Sequence, residues 1–285
     1  MSSLEETKYI LKKYNIKANK RLGQNFLIND NAIQEIVNAA GISAEDLIIE
    51  IGPGLGTLTS KLLEKAGKVI AVELDENMIK ILKDKFKLYE NFILINEDIL
   101  KIDLKKLIEE NLNDLKNVKI VANLPYYITT PIIMKLLEDR LNINSITVMV
   151  QKEVADRIAE KPGEKLSGAI TYSVNYYAIP EKVTLVGKES FIPSPEVDSE
   201  VIKLNIRKEP PVKVDNEEMF FKLIKVSFMQ RRKTLLNALT NSGLITNKEK
   251  LKQVLEKMNL DLNIRGEKLT LEQYAKLANL INQGI

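Results

Sequence analysis

The chain has 285 residues, 45% of them hydrophobic and 28% charged, room for one large domain plus a small appendage in an ordinary globular protein. It contains no cysteine and no histidine. Disulfides, thiol nucleophiles, zinc centres of the cysteine type and the commonest general base near neutral pH are therefore excluded, and no metal is expected. No apolar run approaches the roughly 18 residues of a membrane span, and residues 1–6 lack the apolar stretch of a signal peptide, so a cytoplasmic enzyme is expected.

The net charge of +3 is unevenly distributed. Residues 7–24 hold six Lys or Arg and no acid, residues 209–285 hold 13 basic and 9 acidic side chains, and the stretch between is net acidic. An acidic body with basic ends suits a polyanion gripped from two sides, although solvated surface charge would look the same.

In chain order, the first 17 residues read as a short helix that leads into the basic stretch Lys17–Arg21. From Asp46 to about Gln151, β-type runs alternate with helical patterns. The runs are Leu47–Ile51, Lys68–Glu73, Phe92–Asn96, Val118–Asn123 and Ser145–Gln151, and the helices include Leu58–Ala66, Asn77–Leu88 and Pro131–Asp139. This alternation predicts an α/β fold with a parallel sheet covered on both faces by helices. A helix over Gly163–Tyr177 and strands near Lys182–Val186 and Ser199–Ile206 follow, the two strands pairing antiparallel at the sheet edge. Glu209-Pro210-Pro211 breaks the chain, and helical periodicity beyond it predicts a small all-helical domain. The expected boundaries are 1–208 for the main domain with its basic arm and 209–285 for the helical one.

Leu47–Ile51 runs into Gly52-Pro53-Gly54-Leu55-Gly56 and then a helix, a junction at which backbone can approach a ligand closely. No Gly-Lys-Ser/Thr follows, so this is not a P-loop. Glu73 ends the next strand, where an acid can accept both hydroxyls of a ribose, and Asp98 is expected to end the third, where one can accept from the amino group of an adenine. Gly52, Glu73, Asp98 and Asn123 thus lie at successive carboxyl ends of strands, the ligand edge of a doubly wound sheet. A tight structural turn, a helix cap or a surface charge would explain any one of them, but not all four together. A nicotinamide dehydrogenase would share the glycines and Glu73, yet it needs a supported acid–base group that is not evident here. Methyl transfer from the sulfonium of S-adenosylmethionine needs little proton shuttling and fits better.

Asn123-Leu124-Pro125-Tyr126 follows an apolar strand and precedes a helix, with Thr expected as its N-cap and Pro131 at its first position. The adenine amine is a poor nucleophile because its lone pair is delocalised into the ring. The Asn123 side-chain oxygen and the Leu124 carbonyl can accept its two N–H bonds, Pro125 fixes the carbonyl's direction, and Tyr126 stacks on the base. A turn holding a core tyrosine is the plainer alternative.

With Gln24-Asn25-Phe26-Leu27 upstream and Phe191-Ile192-Pro193-Ser194-Pro195 downstream, the motif resembles the ribosomal RNA adenine dimethyltransferases, and most of all the small-subunit type associated with kasugamycin sensitivity. The resemblance spans essentially the whole chain, including Gln151-Lys152-Glu153, Val197-Asp198-Ser199 and Arg231-Arg232-Lys233-Thr234-Leu235. It implies a Rossmann-like class I methyltransferase fold with a mostly parallel seven-stranded sheet. It also implies dimethylation of two adjacent adenosines in a hairpin loop near the 3′ end of small-subunit rRNA, during assembly of the immature small subunit, and a monomer is expected. By resemblance, Gln24, Asn25, Leu27, Gly52, Gly54, Glu73, Asp98 and Asn123 contact the cofactor, and Phe191 is a second stacking face for an extruded base. Lys17, Lys20 and Arg21 on one flank, and Arg231, Arg232 and Lys233 on an expected helix of the other, are candidates for rRNA phosphates. Tyr127 stands where many relatives carry Asn. The large-subunit enzymes of macrolide resistance, DNA adenine methyltransferases and a non-enzymatic rRNA-binding assembly factor are the alternatives. Leu124 and Arg265-Gly266-Glu267-Lys268-Leu269 favour the small-subunit type over the first.

Overall fold

The five apolar runs predicted between Asp46 and Gln151 all become strands, because each is long enough to cross a sheet and apolar enough to be covered on both sides. The computed structural model describes residues 1–283, apart from the side chain of Lys20. Its elements begin with α1 (Ser3–Lys13), β1 (Phe26–Leu27), α2 (Asp30–Ala40), β2 (Asp46–Ile51), α3 (Thr57–Leu63), β3 (Lys68–Glu73) and α4 (Glu76–Lys85). They continue with β4 (Phe92–Asn96), α5 (Leu104–Asn111), β5 (Asn117–Asn123), α6 (Thr129–Glu138), β6 (Ser145–Gln151) and α7 (Lys152–Ala159). Then come α8 (Ala169–Tyr177), β7 (Ala178–Val186), β8 (Phe191–Ile192) and β9 (Ser199–Ile206). The chain closes with α9 (Glu217–Met229), α10 (Leu235–Asn241), α11 (Lys248–Lys257) and α12 (Leu271–Asn282).

Among the described residues, seven strands form one sheet in the order β4-β3-β2-β5-β6-β9-β7, and β1 and β8 pair separately. β2 through β6 run parallel to their neighbours, whereas β9 pairs antiparallel with β6. Helices on both faces bury the central strands completely: every residue of β2 is buried, as are six of seven in β6. The chain starts at β2, builds outward to β4, and returns to β5 on the other side. The crevice of a doubly wound sheet lies at that reversal. Register pairs Ile51 with Ala122, so Gly52 and Asn123 emerge side by side at the carboxyl edge.

Two compact units result, Met1–Ala155 with Pro180–Ile206, and Asp156–Ile179 with Arg207–Ile285. The second crossing lies close to the expected break at 208/209. Residues 156–179, expected in the main domain, group instead with the C-terminal helices. The aromatic face of α8 explains this, because Tyr172 and Tyr176 are buried in one cluster with Phe220, Leu235 and Tyr274. The Tyr172 hydroxyl also donates to the Leu269 carbonyl at 2.6 Å.

Local expectations are corrected at three places. The helix expected over Gly163–Tyr177 begins only at Ala169, with Gly168 as its N-cap. At α6 no threonine caps the helix. It begins at Thr129 directly from a 3-10 turn over Tyr126–Ile128, Pro131 is its third residue, and the Thr129 hydroxyl donates to the Pro125 carbonyl at 3.0 Å. Gln230–Lys233 is not helical but forms the turn between α9 and α10. It ends where the Thr234 side chain accepts the Asn237 N–H and caps α10.

One glycine of the β2–α3 loop is required by packing. Gly56 has φ +74°, and a Cβ there would lie 2.5 Å from Phe86 Cε2 and 2.9 Å from Leu82 Cδ2. Gly56→Ala is expected to lower stability by about 2–3 kcal/mol through combined overpacking and left-handed strain. A urea midpoint unchanged from wild type would contradict this.

Candidate active site

The Gly52–Gly56 loop is held from beneath before it meets any ligand. Gly52 N–H donates to the Val72 carbonyl at 2.9 Å. Lys85 Nζ donates to the Leu55 and Gly56 carbonyls at 3.2 and 3.0 Å and pairs with Glu6 Oε1 at 2.8 Å. Burial pulls the lysine's pKa down, and the Glu6 carboxylate works against that. Gly52 has φ +66°, and a Cβ built on it would meet nothing within 4 Å, so it faces open space.

That space is a cleft of about 1150 Å³ including its open mouth. Its walls include Gln24, Asn25, Leu27, Gly52, Gly54, Glu73, Asp98, Asn123, Leu124, Pro125, Tyr126 and Phe191. The structure therefore brings every residue expected at the catalytic and cofactor sites to one place.

Glu73 and Asp98 are preset as acceptors. The Glu73 side chain is buried, which raises its pKa, while backbone N–H groups oppose the rise. Its Oε1 accepts from Asp75 N at 2.8 Å and its Oε2 from Gly54 N at 3.2 Å, leaving lone pairs on both oxygens for a diol. Asp98 Oδ1 accepts from Leu100 N at 3.0 Å, which fixes the carboxylate and leaves Oδ2 available.

On the target side, Asn123 Nδ2 donates to the Asn25 carbonyl at 3.4 Å. This turns the amide so that, among the described residues, no donor reaches Oδ1. Leu124 N–H donates to Met149 O of β6 at 3.1 Å. The Pro125 carbonyl accepts from Ile128 N and the Thr129 hydroxyl. No described hydrogen bond ends on the Leu124 carbonyl. Two oxygens one residue apart are thus left without donors at one cleft. The half-buried Tyr126 ring stands beside them, its hydroxyl 2.6 Å from Ser199 Oγ.

Two expected contacts look different in place. Gln24 is engaged within the chain at both ends of its amide: Nε2 donates to Asp75 Oδ2 at 2.7 Å, and Oε1 accepts from Asn19 N at 2.8 Å. It fastens the N-terminal arm. Phe191 is buried against Phe26 and Leu27 through the β1–β8 pair, so it is a wall of the cleft more than a free stacking face. Tyr127, by contrast, is exposed, and its ring lies over Gly23, where a Cβ would meet Tyr127 Cδ1 at 3.1 Å.

Of the basic candidates, Lys17, Arg21, Arg231, Arg232 and Lys233 are exposed. Arg231 is tied to Glu267 Oε2 at 2.9 and 3.0 Å and lies over the Phe228 ring. The side chain of Lys20 lies outside the described residues.

Sequence reasoning missed Glu50, Asp75 and Ser199. Glu50 left a signal, since it is a carboxylate inside the apolar run Leu47–Ile51. Its side chain is 1% exposed at the floor of the cleft, and Oε2 has no hydrogen-bond partner. Burial pushes its pKa up to about 8, against the pull of Thr59 and Lys85. Asp75 left none, because its partner is 51 residues away in the chain; Ser199 stood only within the motif Val197-Asp198-Ser199, and its partner is 73 residues away.

The family model described as ribosomal RNA adenine dimethylase matches residues 15–283. The chain belongs to the ribosomal RNA adenine dimethylase family. Within it, the chain is similar to a ribosomal RNA small subunit methyltransferase A of Alkaliphilus oremlandii, with 50% identity over 279 residues, 98% of this chain and 97% of that one. The crystal structure of a dimethyladenosine transferase from Plasmodium falciparum superposes with a TM-score of 0.75 and 27% identity, covering 90% of this chain and 98% of that one. The 23S rRNA methyltransferase ErmE shares the fold, with a TM-score of 0.67 and 24% identity over 91% of this chain and 100% of that one. Membership gives the cleft its setting: the carboxyl edge of a Rossmann-like methyltransferase sheet.

Proposed function

We propose that this chain transfers methyl groups from S-adenosylmethionine to N6 of two adjacent adenosines in the 3′-terminal hairpin of small-subunit rRNA, acting on the immature subunit. The observation that carries the reading is the pair of free acceptors, Asn123 Oδ1 and the Leu124 carbonyl, set in a cleft that also holds Glu73 and Asp98. Relatives sharing half of the sequence over nearly its full length are named small-subunit enzymes, which favours that subunit over the large one.

Gly52, with open space before it, and the acceptors of Glu73 and Asp98 fit a ribose and an adenine. Bound there, the cofactor supplies an electrophilic methyl group on sulfur. In the first transfer Asn123 Oδ1 and the Leu124 carbonyl accept the two N–H bonds of the target amine and draw its lone pair out of the ring; in the second, one of them accepts the single N–H that remains. Pro125 and the Leu124–Met149 hydrogen bond fix the direction of these acceptors, so alignment of nucleophile and methyl supplies most of the acceleration. Neither acceptor needs to be a base. The nitrogen becomes strongly acidic as it takes the methyl group, and its proton can pass to solvent.

The test is labelled S-adenosylmethionine offered to undermethylated small subunits, naked small-subunit rRNA and large subunits in parallel. Label is expected in small subunits as dimethyladenosine. Label confined to large subunits would overturn the reading, and cofactor binding without any transfer would point to an assembly factor.

Among the basic candidates, Arg232 and Lys233 are exposed and have no ion-pair partner among the described residues. Replacing both with Ala is expected to weaken rRNA binding uniformly and to reduce the salt slope by about 2, with cofactor affinity unchanged. An unaltered slope in filter binding across salt would remove them from the interface.

A further inference from the structure

The hydroxyl of Tyr126 has no role in stacking, since a phenylalanine ring would offer the same face. Yet this hydroxyl is anchored 2.6 Å from Ser199 Oγ, and Ser199 is completely buried. Ser199 is the first residue of β9 and pairs in register with Gln151 at the end of β6. Leu124 N–H is meanwhile bound to Met149 O, two residues earlier on β6. The Asn123–Tyr126 segment is therefore pinned twice: its backbone to β6, and its aromatic tip to the antiparallel strand beyond. Without the second pin the ring could turn about its side-chain torsions, because Tyr126 is only half-buried and its 3-10 turn has no side-chain cap.

We infer that Ser199 is a positioning residue of the methyl-transfer reaction, holding the Tyr126 ring at the angle where it stacks on the target adenine. This rests on the function proposed above. A flat base meets a flat ring productively over a narrow range of angles, and misplacement of a reacting group by about 1 Å costs on the order of a hundredfold in rate. A ring fixed before the base arrives also avoids an ordering cost at binding. The hydrogen bond crosses one strand, β6, so it couples the catalytic turn to the antiparallel strand β9, which α/β topology alone does not require. Burial raises the phenol's pKa, with Asp198 next to Ser199 adding to the rise and Ser199 opposing it.

The experiment uses the full chain with undermethylated small subunits, comparing Ser199→Ala, Tyr126→Phe and the double variant. Steady-state transfer, cofactor affinity by equilibrium binding and the unfolding midpoint are measured for each. Each single change is expected to lower kcat about tenfold, with cofactor Kd and unfolding midpoint close to wild type. The double variant is expected to be no slower than either single one, since both remove the same bond. Multiplying losses would overturn the inference, as would a kcat equal to wild type or a fall in cofactor affinity matching the fall in rate. Absence of transfer by the wild-type chain would instead reject the proposed function itself, so the two failures are distinguishable.

Discussion

Asn123→Ala is expected to slow methyl transfer by about 10²–10³-fold while leaving cofactor affinity within a few-fold of wild type. The magnitude is that of removing one preorganised hydrogen-bonding group aimed at charge that develops in the transition state. Two features of the site make the change specific. Asn123 Oδ1 is left without a donor by the orientation of its amide, and the Leu124 carbonyl, its companion acceptor, is fixed by the backbone and survives the substitution. The ribose and adenine acceptors, Glu73 and Asp98, lie on other strands and keep their own hydrogen bonds. The Asn123 amide also donates to the Asn25 carbonyl at 3.4 Å, a long bond whose loss should disturb the arm only slightly. Single-turnover transfer and equilibrium binding of the cofactor, measured side by side, decide the matter. A collapse of cofactor affinity would mean that Asn123 chiefly holds the cofactor.

Glu50→Gln is expected to stabilise the fold, and increasingly so as pH rises. With a folded pKa of about 8 against an ordinary 4.5, the folded state retains a proton that the unfolded chain releases. Below pH 4.5 both states are protonated and the group contributes nothing to the pH dependence. Between 4.5 and 8 the unfolded chain binds fewer protons, so stability falls by up to about 1.4 kcal/mol per pH unit. Above 8 both states are charged and the loss is complete, on the order of 5 kcal/mol across the window. Glutamine keeps the shape and stays neutral, so the difference between variant and wild type should be smallest near pH 4.5 and greatest at pH 8 or above. Denaturant unfolding of both proteins at several pH values measures it. A difference that does not change with pH would show that Glu50 is ionised in the fold throughout. The charged form is costly because the side chain is 1% exposed and Oε2 has no partner, while Lys85 spends its donors on Glu6 and the loop carbonyls.

Much of the site was legible because it is local. A strand that ends in glycine, acid or asparagine places that residue at the carboxyl edge whatever the rest of the chain does, and the runs before Gly52, Glu73 and Asn123 are apolar enough to be strands without ambiguity. The errors arose where local signals competed. Thr129-Thr130-Pro131 looks like a cap followed by proline, but the 3-10 turn at Tyr126 already supplies the helix with its start. Gln230–Lys233 continues the charge pattern of a helix, yet Thr234 caps a new one. Gln24 does line the cleft as expected, and only folding brings it the Asp75 carboxylate that engages its amide.

By itself, the sequence determined the sheet-and-helix alternation, the strand ends that bear Gly52, Glu73, Asp98 and Asn123, and, with no histidine or cysteine, a chemistry free of the usual bases and nucleophiles. Periodicity and strand-end chemistry act over a few residues, which is why they can be read directly. Only the tertiary structure decided that α8 groups with the C-terminal helices, that Phe191 is a buried wall, that Glu50 is buried with its pKa raised, and that Tyr126 is anchored by Ser199. Each of these depends on burial or on a partner distant along the chain. Burial sets the cost of charge and fixes a ring's angle, and the order of residues does not reveal it until the strands have been laid side by side.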